Sequence, residues 1–440
     1  MKRIKFYMLL ILAKFLSLMI KMHGKSSGTS FIGLITLKIE PNFLKEVSKY
    51  MKQCITVTGT NGKTTTSGIL SHLIQNTKHT VLHNEKGANM LTGIANTFVL
   101  GISPFKRYDY AVLESDEAYL SKLYDNIKSD YLVVTNLFRD QLDRYGELST
   151  TAKKIQNAID KNRNLQLILN ADDPMVVNFR PLGDKKPIYY GFNSVTYNNK
   201  NIESKAPMET LNCPWCGEPL KYESRFYAQQ GHYYCDCGYK RPQCKYSADV
   251  TIYDDYSVIN MTVNNKEYSY KIPLIGLYNA YNALAAIAVS FELGITDIQK
   301  ALTTFKTTFG RSEIREINGR KAIIQLIKNP TGASEVLKTV DFDSNILIII
   351  NDNYADGRDV SWLWDTDFEL LKDAKKTIIT SGTRAYDMAV RLKYAEIDNV
   401  KVIPNIDKAV KYVSTNTDNS NITILPTYTA LLHLNEKGEK

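Results

Sequence analysis

The fold of this chain is decided by the stretch Cys54-Ile55-Thr56-Val57-Thr58-Gly59-Thr60-Asn61-Gly62-Lys63-Thr64-Thr65-Thr66. Its first five residues are apolar or β-branched and predict a buried strand, after which two glycines bracket a tight turn. The lysine and threonines that follow predict the start of a helix. Backbone N–H groups in such a turn and helix start point at anionic oxygens. The stretch therefore predicts a phosphate-binding loop over Gly59–Thr65.

Two side chains of this loop are candidates for nucleotide chemistry. Lys63 supplies a positive charge to the β- and γ-phosphates of a bound nucleotide, and Thr64 offers its hydroxyl to Mg²⁺. The longer P-loop pattern has a glycine at the position that Val57 occupies, so only the shorter form is present. An ordinary corner between a strand and a helix is the structural alternative.

Length and composition bound the class of protein. The chain has 440 residues, which is enough for two or three domains with a core each. Its formal net charge of +9 favours anionic ligands in general without selecting among them. Five of the six cysteines lie within residues 213–244, so they form a local cluster and not a chain-wide disulfide framework. Together with a nucleotide site, this favours a reducing cytoplasm.

The N-terminal segment Phe6–Ile20 is very apolar. Lys14 interrupts the run, which is too short to span a bilayer, and no small-residue cleavage site follows it. The spacing of Arg3, Lys14, Lys21 and Lys25 places them on one helical face. We therefore expect an amphipathic helix, which either packs on the protein or lies on a membrane surface.

Strand and helix patterns alternate from residue 51 to about residue 205 and again beyond about residue 310. This alternation predicts an α/β fold with doubly wound parallel sheets, whose ligands lie at the carboxyl ends of the strands. The predicted division is an N-terminal helical segment at 1–50, a central nucleotide-binding domain at 51–308 and a Rossmann-like C-terminal α/β domain at 309–440. Residues 206–245 break the pattern and are predicted to be an insertion.

Acidic residues follow the predicted strand Tyr110–Leu113. Glu114 ends this strand beside the phosphate loop, so it is a candidate to hold Mg²⁺ directly or through water. Asp116 and Glu117 come next, and a solvated helix N-terminus is the structural alternative for all three. The segment Thr135–Arg144 follows another predicted strand, and its polar residues are further candidates for the site.

The insertion carries two close pairs of cysteines, each followed by a glycine. Such pairs are typical of a tetrahedral zinc ribbon, and four thiolates leave no open coordination position, so we expect a structural metal. Cys244 or His232 is an alternative for one of the ligands. The four predicted ligands are Cys213, Cys216, Cys235 and Cys237.

Several segments together resemble the central ATPase domain of Mur ligases. They are Gly59–Thr66, Thr135–Asp143, Asn170–Pro174 and Gly276–Ala283, with Gly310–Glu313 extending the resemblance toward the C-terminal domain. The resemblance implies that ATP phosphorylates a carboxylate and that an amine then attacks the acyl phosphate. It also implies that Asn279 and Asn282 lie near the adenine and ribose.

The chain departs from the amino-acid-adding Mur ligases in three ways. About 50 residues precede the phosphate loop, too few for their UDP-binding domain. Gln141 stands where those enzymes usually carry a histidine, and neither Lys153 nor Lys154 is in register with their carbamylated lysine. These departures argue against a stand-alone amino-acid-adding role, and the short N-terminus fits a substrate carried by a lipid.

The segment Asn351–Trp362 follows a very apolar predicted strand and contains several aspartates. A turn stabilised by Asx hydrogen bonds is its structural alternative. With the Mur-like core and the cysteine cluster, it resembles the ligase subunits of lipid II isoglutaminyl synthases. That resemblance implies a GatD-type glutaminase partner, whose ammonia amidates the D-Glu α-carboxylate of the lipid II stem peptide. It also implies that Asp359 faces the partner, while Asp352 and Asp356 remain alternatives.

We therefore expect ATP at Thr60–Thr65, with Mg²⁺ held by Thr64 and Glu114, and Lys63 neutralising charge on the transferring phosphoryl group. We expect no nucleic-acid partner. One alternative is a folylpolyglutamate synthetase-like amino-acid ligase, against which the cysteine cluster and the Asp359 segment argue. The other is a non-enzymatic scaffold, against which the intact Lys63 and Glu114 argue.

Overall fold

The computed structural model describes residues 3–22, 30–85, 88–103, 106–139, 148–198, 210–306, 311–415 and 421–438. Two sheets organise these residues, one of nine strands and one of six. We call residues 51–306 the central unit and residues 311–438 the C-terminal unit. The predicted α/β fold is confirmed.

The central sheet is mostly parallel, and its order is β11-β10-β9-β6-β5-β4-β1-β3-β2. Only β10 and β11 run antiparallel to their neighbours, at one edge. A separate hairpin, β7–β8, belongs to the insertion. The strands are β1 Met51–Thr58, β2 Val81–His83, β3 Tyr108–Glu114, β4 Tyr131–Val134, β5 Gln166–Asn170, β6 Ile188–Tyr197, β7 Lys221–Tyr227, β8 Gln230–Tyr234, β9 Tyr246–Ile252, β10 Ser257–Val263 and β11 Lys266–Ile272.

Helices cover both faces of this sheet, as a buried parallel sheet requires. One face is covered by α4 and α8, and the other mainly by α1, α2, α5 and α7. Short 3₁₀ turns lie at Ser48–Tyr50 and Val176–Asn178. The helices are α1 Arg3–Met22, α2 Phe31–Ile39, α3 Phe43–Val47, α4 Lys63–Gln75, α5 Leu91–Gly101, α6 Leu120–Tyr124, α7 Leu148–Ile159, α8 Leu277–Glu292 and α9 Gln299–Thr304.

The C-terminal unit has the sheet order β12-β13-β17-β14-β15-β16, in which only β12 is antiparallel. Its central strand β14 is buried at every residue. Short 3₁₀ turns lie at Ser361–Leu363 and Phe368–Asp373. The remaining elements are β12 Arg311–Ile317, β13 Arg320–Gln325, α10 Pro330–Leu337, β14 Asn345–Ile349, β15 Ile378–Ser381, α11 Ala385–Tyr394, β16 Val400–Val402, α12 Ile406–Thr415, β17 Ile422–Pro426 and α13 Tyr428–Gly438.

The N-terminal helix is present as α1, and it packs on the protein through Phe6, Leu9 and Leu10. The prediction that Lys14 lies on an outer basic face of this helix is wrong. The ammonium of Lys14 turns inward and donates to the carbonyl of Ile102. Lys25 and the side chains of Arg3 and Lys21 lie outside the described residues. Across the described ranges, no helix is both long enough and apolar enough to cross a bilayer.

Candidate active site

The predicted phosphate loop joins β1 to α4 and needs glycine at two positions. Gly59 and Gly62 have φ values of +123° and +87°, which side chains other than that of glycine rarely tolerate. A Cβ on Gly62 would lie 2.0 Å from Oδ1 of Asn282. The loop backbone is thus held in the open, left-handed shape that lets N–H groups face an anion.

Residues after β4 hold this loop in place. The Asn61 N–H donates to Oδ1 of Asn136 at 2.8 Å, and Thr135 Oγ1 donates to the Asn61 carbonyl at 2.7 Å. Thr60 Oγ1 donates to the Phe138 carbonyl at 3.0 Å. This part of the predicted Thr135–Arg144 segment therefore supports the loop. Residues 140–144 of the segment, Gln141 included, lie outside the described residues.

Lys63 lies over the loop and is buried with an acidic partner. Its Nζ donates to the Gly59 carbonyl and is 3.1 Å from Oε2 of Glu117. Burial raises the pKa of Glu117, and the charge of Lys63 opposes that rise. Glu117 and Asp116 are both buried, so a solvated helix N-terminus does not describe them. The ion pair aims the Lys63 ammonium at the loop.

Thr64 and Glu114 meet beside Lys63. Thr64 Oγ1 donates to Oε2 of Glu114 at 2.5 Å, and Asn89 Nδ2 donates to Oε1 of the same carboxylate at 3.0 Å. Asn84 pairs with the backbone of Glu114 through two hydrogen bonds of 2.8 Å. A hydroxyl and a carboxylate oxygen this close fit the oxygen ligands that Mg²⁺ prefers. The two predicted metal residues are thus brought together.

The predicted nucleotide residues of α8 lie against the phosphate loop. Gly276 precedes this helix with a φ of +88°, and Asn279 and Asn282 follow within its first two turns. Asn282 Nδ2 donates to Oδ1 of Asn279 at 3.3 Å, and Thr66 Oγ1 donates to Oδ1 of Asn282 at 3.4 Å. Both asparagines are buried. Their predicted roles at the adenine and ribose remain predictions.

The C-terminal unit touches the phosphate loop through the start of α10. Asn329 caps this helix, because its Oδ1 accepts from the Gly332 N–H at 2.9 Å. The Asn329 Nδ2 also donates to Oδ1 of Asn61 at 3.0 Å. Lys328 Nζ lies 3.4 Å from the Thr60 carbonyl oxygen. This contact has no local signal in the sequence, although Asn329 before a proline is a recognisable helix start.

Two of the three candidate aspartates after β14 have structural partners. Asp356 is buried and accepts from the N–H and the hydroxyl of Thr429, at 2.7 and 2.5 Å. Asp352 accepts from Thr383 Oγ1 at 2.8 Å and lies 3.7 Å from Arg384. Both carboxylates therefore tie their loop to neighbouring elements.

Asp359 is the third of these aspartates. It is half-buried, and its Oδ1 accepts from the Ser361 N–H at 2.8 Å. Hydrogen bonds from Ser361 lower the pKa of Asp359, and the positive charge of Arg139 adds to this effect. Arg139 also forms an ion pair with Asp365 across the two units. Asp359 thus lies ionised near the junction of the units.

The four predicted zinc ligands converge. Their Sγ atoms lie within 4.8 Å of one another, with 3.6 Å from Cys213 to Cys237 and 3.5 Å from Cys216 to Cys235. Thiolates at about 2.3 Å from a tetrahedral zinc are about 3.8 Å apart, so the arrangement fits this metal. Neither Cys244 nor His232 belongs to the cluster.

His232 instead contacts the Phe192 carbonyl oxygen, with its Nε2 at 2.8 Å. The insertion is anchored on the buried carboxylate of Asp172. Asp172 accepts from Arg241 Nε at 2.6 Å, from the Tyr281 hydroxyl at 2.7 Å and from the Phe192 N–H at 2.9 Å. Arg241 follows the cysteine cluster and Tyr281 lies on α8. Asp172 therefore links the insertion, through Arg241, to the helix that carries the predicted nucleotide residues.

Comparison with known proteins assigns the family. Residues 57–290 match the Mur ligase middle domain, and residues 326–431 match the MurT ligase C-terminal domain. In Staphylococcus aureus, the lipid II isoglutaminyl synthase (glutamine-hydrolyzing) subunit MurT is 35% identical over 93% of this chain and 92% of its own length. The subunit of that name in Streptococcus pneumoniae is 36% identical over the same shares. The chain belongs to the MurT family.

Solved structures share the fold of this MurT-family chain. A pseudomurein peptide ligase type C from Methanothermus fervidus has a TM-score of 0.70 at 24% identity, over 90% of this chain and 81% of its own. MurF ligase from Thermotoga maritima in complex with ADP has a TM-score of 0.60 at 15% identity, over 91% and 84%. These similarities establish that the two sheets follow the Mur ligase arrangement.

Proposed function

We propose that this MurT-family chain is the ATP-dependent ligase subunit of a lipid II isoglutaminyl synthase. The two MurT relatives carry that enzyme's name and align over almost the whole chain. On this proposal, residues 51–308 are the ATPase domain with its insertion at 206–245, residues 309–440 are the second α/β domain, and residues 1–50 are a helical segment. Because the acceptor is lipid-borne, the reaction takes place at the inner face of the plasma membrane.

The observation that carries the proposal is the meeting of Lys63, Thr64 and Glu114 at the phosphate loop. Mur ligases use ATP and Mg²⁺, and the loop Gly59–Thr65 supplies N–H groups for the phosphates. Thr64 and Glu114, joined at 2.5 Å, would hold Mg²⁺, which supplies positive charge to the phosphate oxygens. Lys63 lies where a second positive charge favours phosphoryl transfer.

The proposed reaction has two steps. A carboxylate oxygen of D-Glu attacks the γ-phosphorus of ATP, and ADP leaves with the bond electrons, which gives an acyl phosphate. Ammonia then attacks the acyl carbon, phosphate leaves, and a proton is lost to give the amide. The acyl phosphate must be kept from water. The contact between Asn61 and Asn329 closes one side of the loop and serves this purpose.

The ammonia is supplied by a GatD-type glutaminase partner in this proposal. A glutaminase cysteine needs a histidine base, and a third group must hold the imidazole in the right tautomer. Asp359 is suited to this role because its pKa is lowered and it is only half-buried, while Asp356 is buried against Thr429. The neighbouring Tyr354 is 80% exposed and offers an aromatic contact to a partner.

The cysteine cluster is proposed to hold a structural Zn²⁺. Four thiolates complete a tetrahedral shell, so this metal would have no free position for a substrate. Its role would be to fix the insertion against Asp172 and α8.

The test is reconstitution of the chain with its glutaminase partner, lipid II, ATP and glutamine. We expect one amide and one ADP for each glutamine consumed, measured by mass spectrometry and coupled ADP detection. Amide formation from free amino acids without glutamine would instead support the amino-acid ligase alternative. The absence of ATP turnover in the complete mixture would support the scaffold alternative.

A further inference from the structure

Helix α1 is apolar on two opposite faces. Phe6, Leu9, Leu10 and Ala13 are buried in the central unit. The opposite face is apolar as well. Five of its side chains are at least half exposed, namely Met8, Ile11, Leu12, Phe15 and Leu18. Their spacing of three and four residues puts them on one stripe of the helix. A helix that only needed to pack on the protein would carry polar residues there.

Among the described residues, exposed apolar side chains are concentrated on α1 and α2. Nine of the 21 large apolar side chains that are exposed lie on α1 and α2, although these helices are a small part of the chain. On α2 they include Phe31, which is 54% exposed, and Ile39, which is 47% exposed. Single exposed apolar residues are ordinary, whereas a cluster marks an interaction surface.

The same segment carries nearly all the excess charge of the protein. Residues 1–52 contain ten Lys or Arg and two Asp or Glu, so they contribute +8 of the total formal charge of +9. Lys5, Lys38 and Lys45 are exposed among the described residues of this segment. Burial lowers the pKa of Lys14, and the positive charge of Lys106 adds to this effect. The apolar stripe therefore belongs to a strongly basic segment of the chain.

We propose that α1 and α2 form a docking face for an anionic lipid bilayer, with α1 lying in the plane of the interface. Apolar stripes with basic flanks are typical of interfacial helices, because the stripe enters the acyl boundary while Lys and Arg meet anionic headgroups. An interface between proteins has no need for charge of a single sign around it. The assignment does not depend on the proposed enzymatic activity.

The test is co-sedimentation of the full chain, alone and with its glutaminase partner, with sucrose-loaded vesicles. No nucleotide or glutamine is added, so the result is independent of catalysis. We expect binding to vesicles containing phosphatidylglycerol, weaker binding to pure phosphatidylcholine and weaker binding at high salt. The double substitution Ile11→Gln with Phe15→Gln should weaken binding about tenfold or more, because two apolar side chains no longer enter the bilayer.

The matched control is Ile314→Gln, since Ile314 is 61% exposed on β12 and Ile11 is 69% exposed on α1. This control should bind vesicles as the unchanged protein does. Circular dichroism checks folding, and the single substitution Ile11→Gln replaces the double one if the latter unfolds. Equal binding by wild type and variant, or no binding by wild type, overturns the proposal. So does a dimer in sedimentation equilibrium that the substitutions convert to a monomer, because the face would then join two copies.

Discussion

At the scale of single residues, the phosphate loop depends on Lys63. Its ammonium is held over the loop by Glu117 and the Gly59 carbonyl, so it is in place before a nucleotide arrives. Substitution Lys63→Met should lower ATP turnover about 100-fold or more, because one stabilising charge on the transferring phosphoryl group is lost. Turnover is measured as ADP release in the complete complex.

The matched control for this prediction is Lys78→Met. Lys78 is exposed just beyond the same helix α4, so its substitution should leave turnover within about twofold of wild type. Unchanged turnover in Lys63→Met would contradict the assigned role.

A second prediction concerns Asp359. Substitution Asp359→Asn in the complex should lower glutamine hydrolysis about 100-fold, because an amide no longer holds a partner histidine in the reactive tautomer. Amidation with added ammonium chloride should stay near the wild-type rate, since the ligase site is untouched. Asp352→Asn is the control and should retain glutamine hydrolysis. If only the control lost hydrolysis, Asp352 would be the carboxylate that faces the partner.

At the scale of elements, α10 couples the C-terminal unit to the phosphate loop through Asn329. Asn329→Ala removes both the helix cap and the hydrogen bond to Asn61, and Asn329→Ser keeps a cap but is too short to reach Asn61. We expect both variants to raise the KM for ATP. Only the alanine variant should lose about 1 kcal/mol of stability, measured by urea unfolding. A wild-type KM in both would show that the contact does not assist nucleotide binding.

The insertion is the second element that can be tested. Substitution Cys235→Ser should release the bound zinc, measured by metal analysis, and should speed hydrogen exchange over residues 213–244. The physical reason is that a zinc ion would join the two cysteine pairs, and a site with three thiolates would bind it less tightly. Cys244→Ser is the control, because Cys244 lies outside the cluster of four sulfur atoms. Equal zinc content in both variants would rule out the tetrathiolate site.

Sequence and structure agree best where the signal is local. The phosphate loop and the cysteine pairs each depend on residues close together in the chain, and the structure brings the members of each set together. The local signal is weak where a strand is short, as in β2, or rich in polar residues, as in β11 and β12. The contact of Asn61 with Asn329 joins residues 268 positions apart, so no local pattern reveals it.

Other features of the site depend on packing that the sequence does not show. The pairing of Lys63 with Glu117 requires β1 and β3 to be neighbours, which sets Val57 opposite Glu114. The exposure of the apolar stripe on α1 could not be read from its sequence, because both faces of that helix are apolar. The sequence also gives no sign that Lys14 points inward. Its ammonium donates to the Ile102 carbonyl and does not lie on an outer basic face.

At the scale of the whole molecule, the two units meet around the phosphate loop. Asn61 pairs with Asn329, Arg139 pairs with Asp365, and the Tyr278 hydroxyl lies 3.2 Å from Ser312 Oγ. Such closure is what a reactive acyl phosphate requires, because the site must exclude water while ammonia enters. The half-buried Asp359 lies near this junction, and the proposed membrane face lies on the N-terminal helices.

The acyl phosphate is tested most sharply by following oxygen through the reaction. Lipid II labelled with ¹⁸O in the D-Glu α-carboxylate is converted by the complete complex with ATP and glutamine. An acyl phosphate requires that the carboxylate oxygen leaves with phosphorus, so we expect one ¹⁸O atom in each released phosphate, detected by mass spectrometry. Amide formed with unlabelled phosphate, or formed without ATP, would contradict the account.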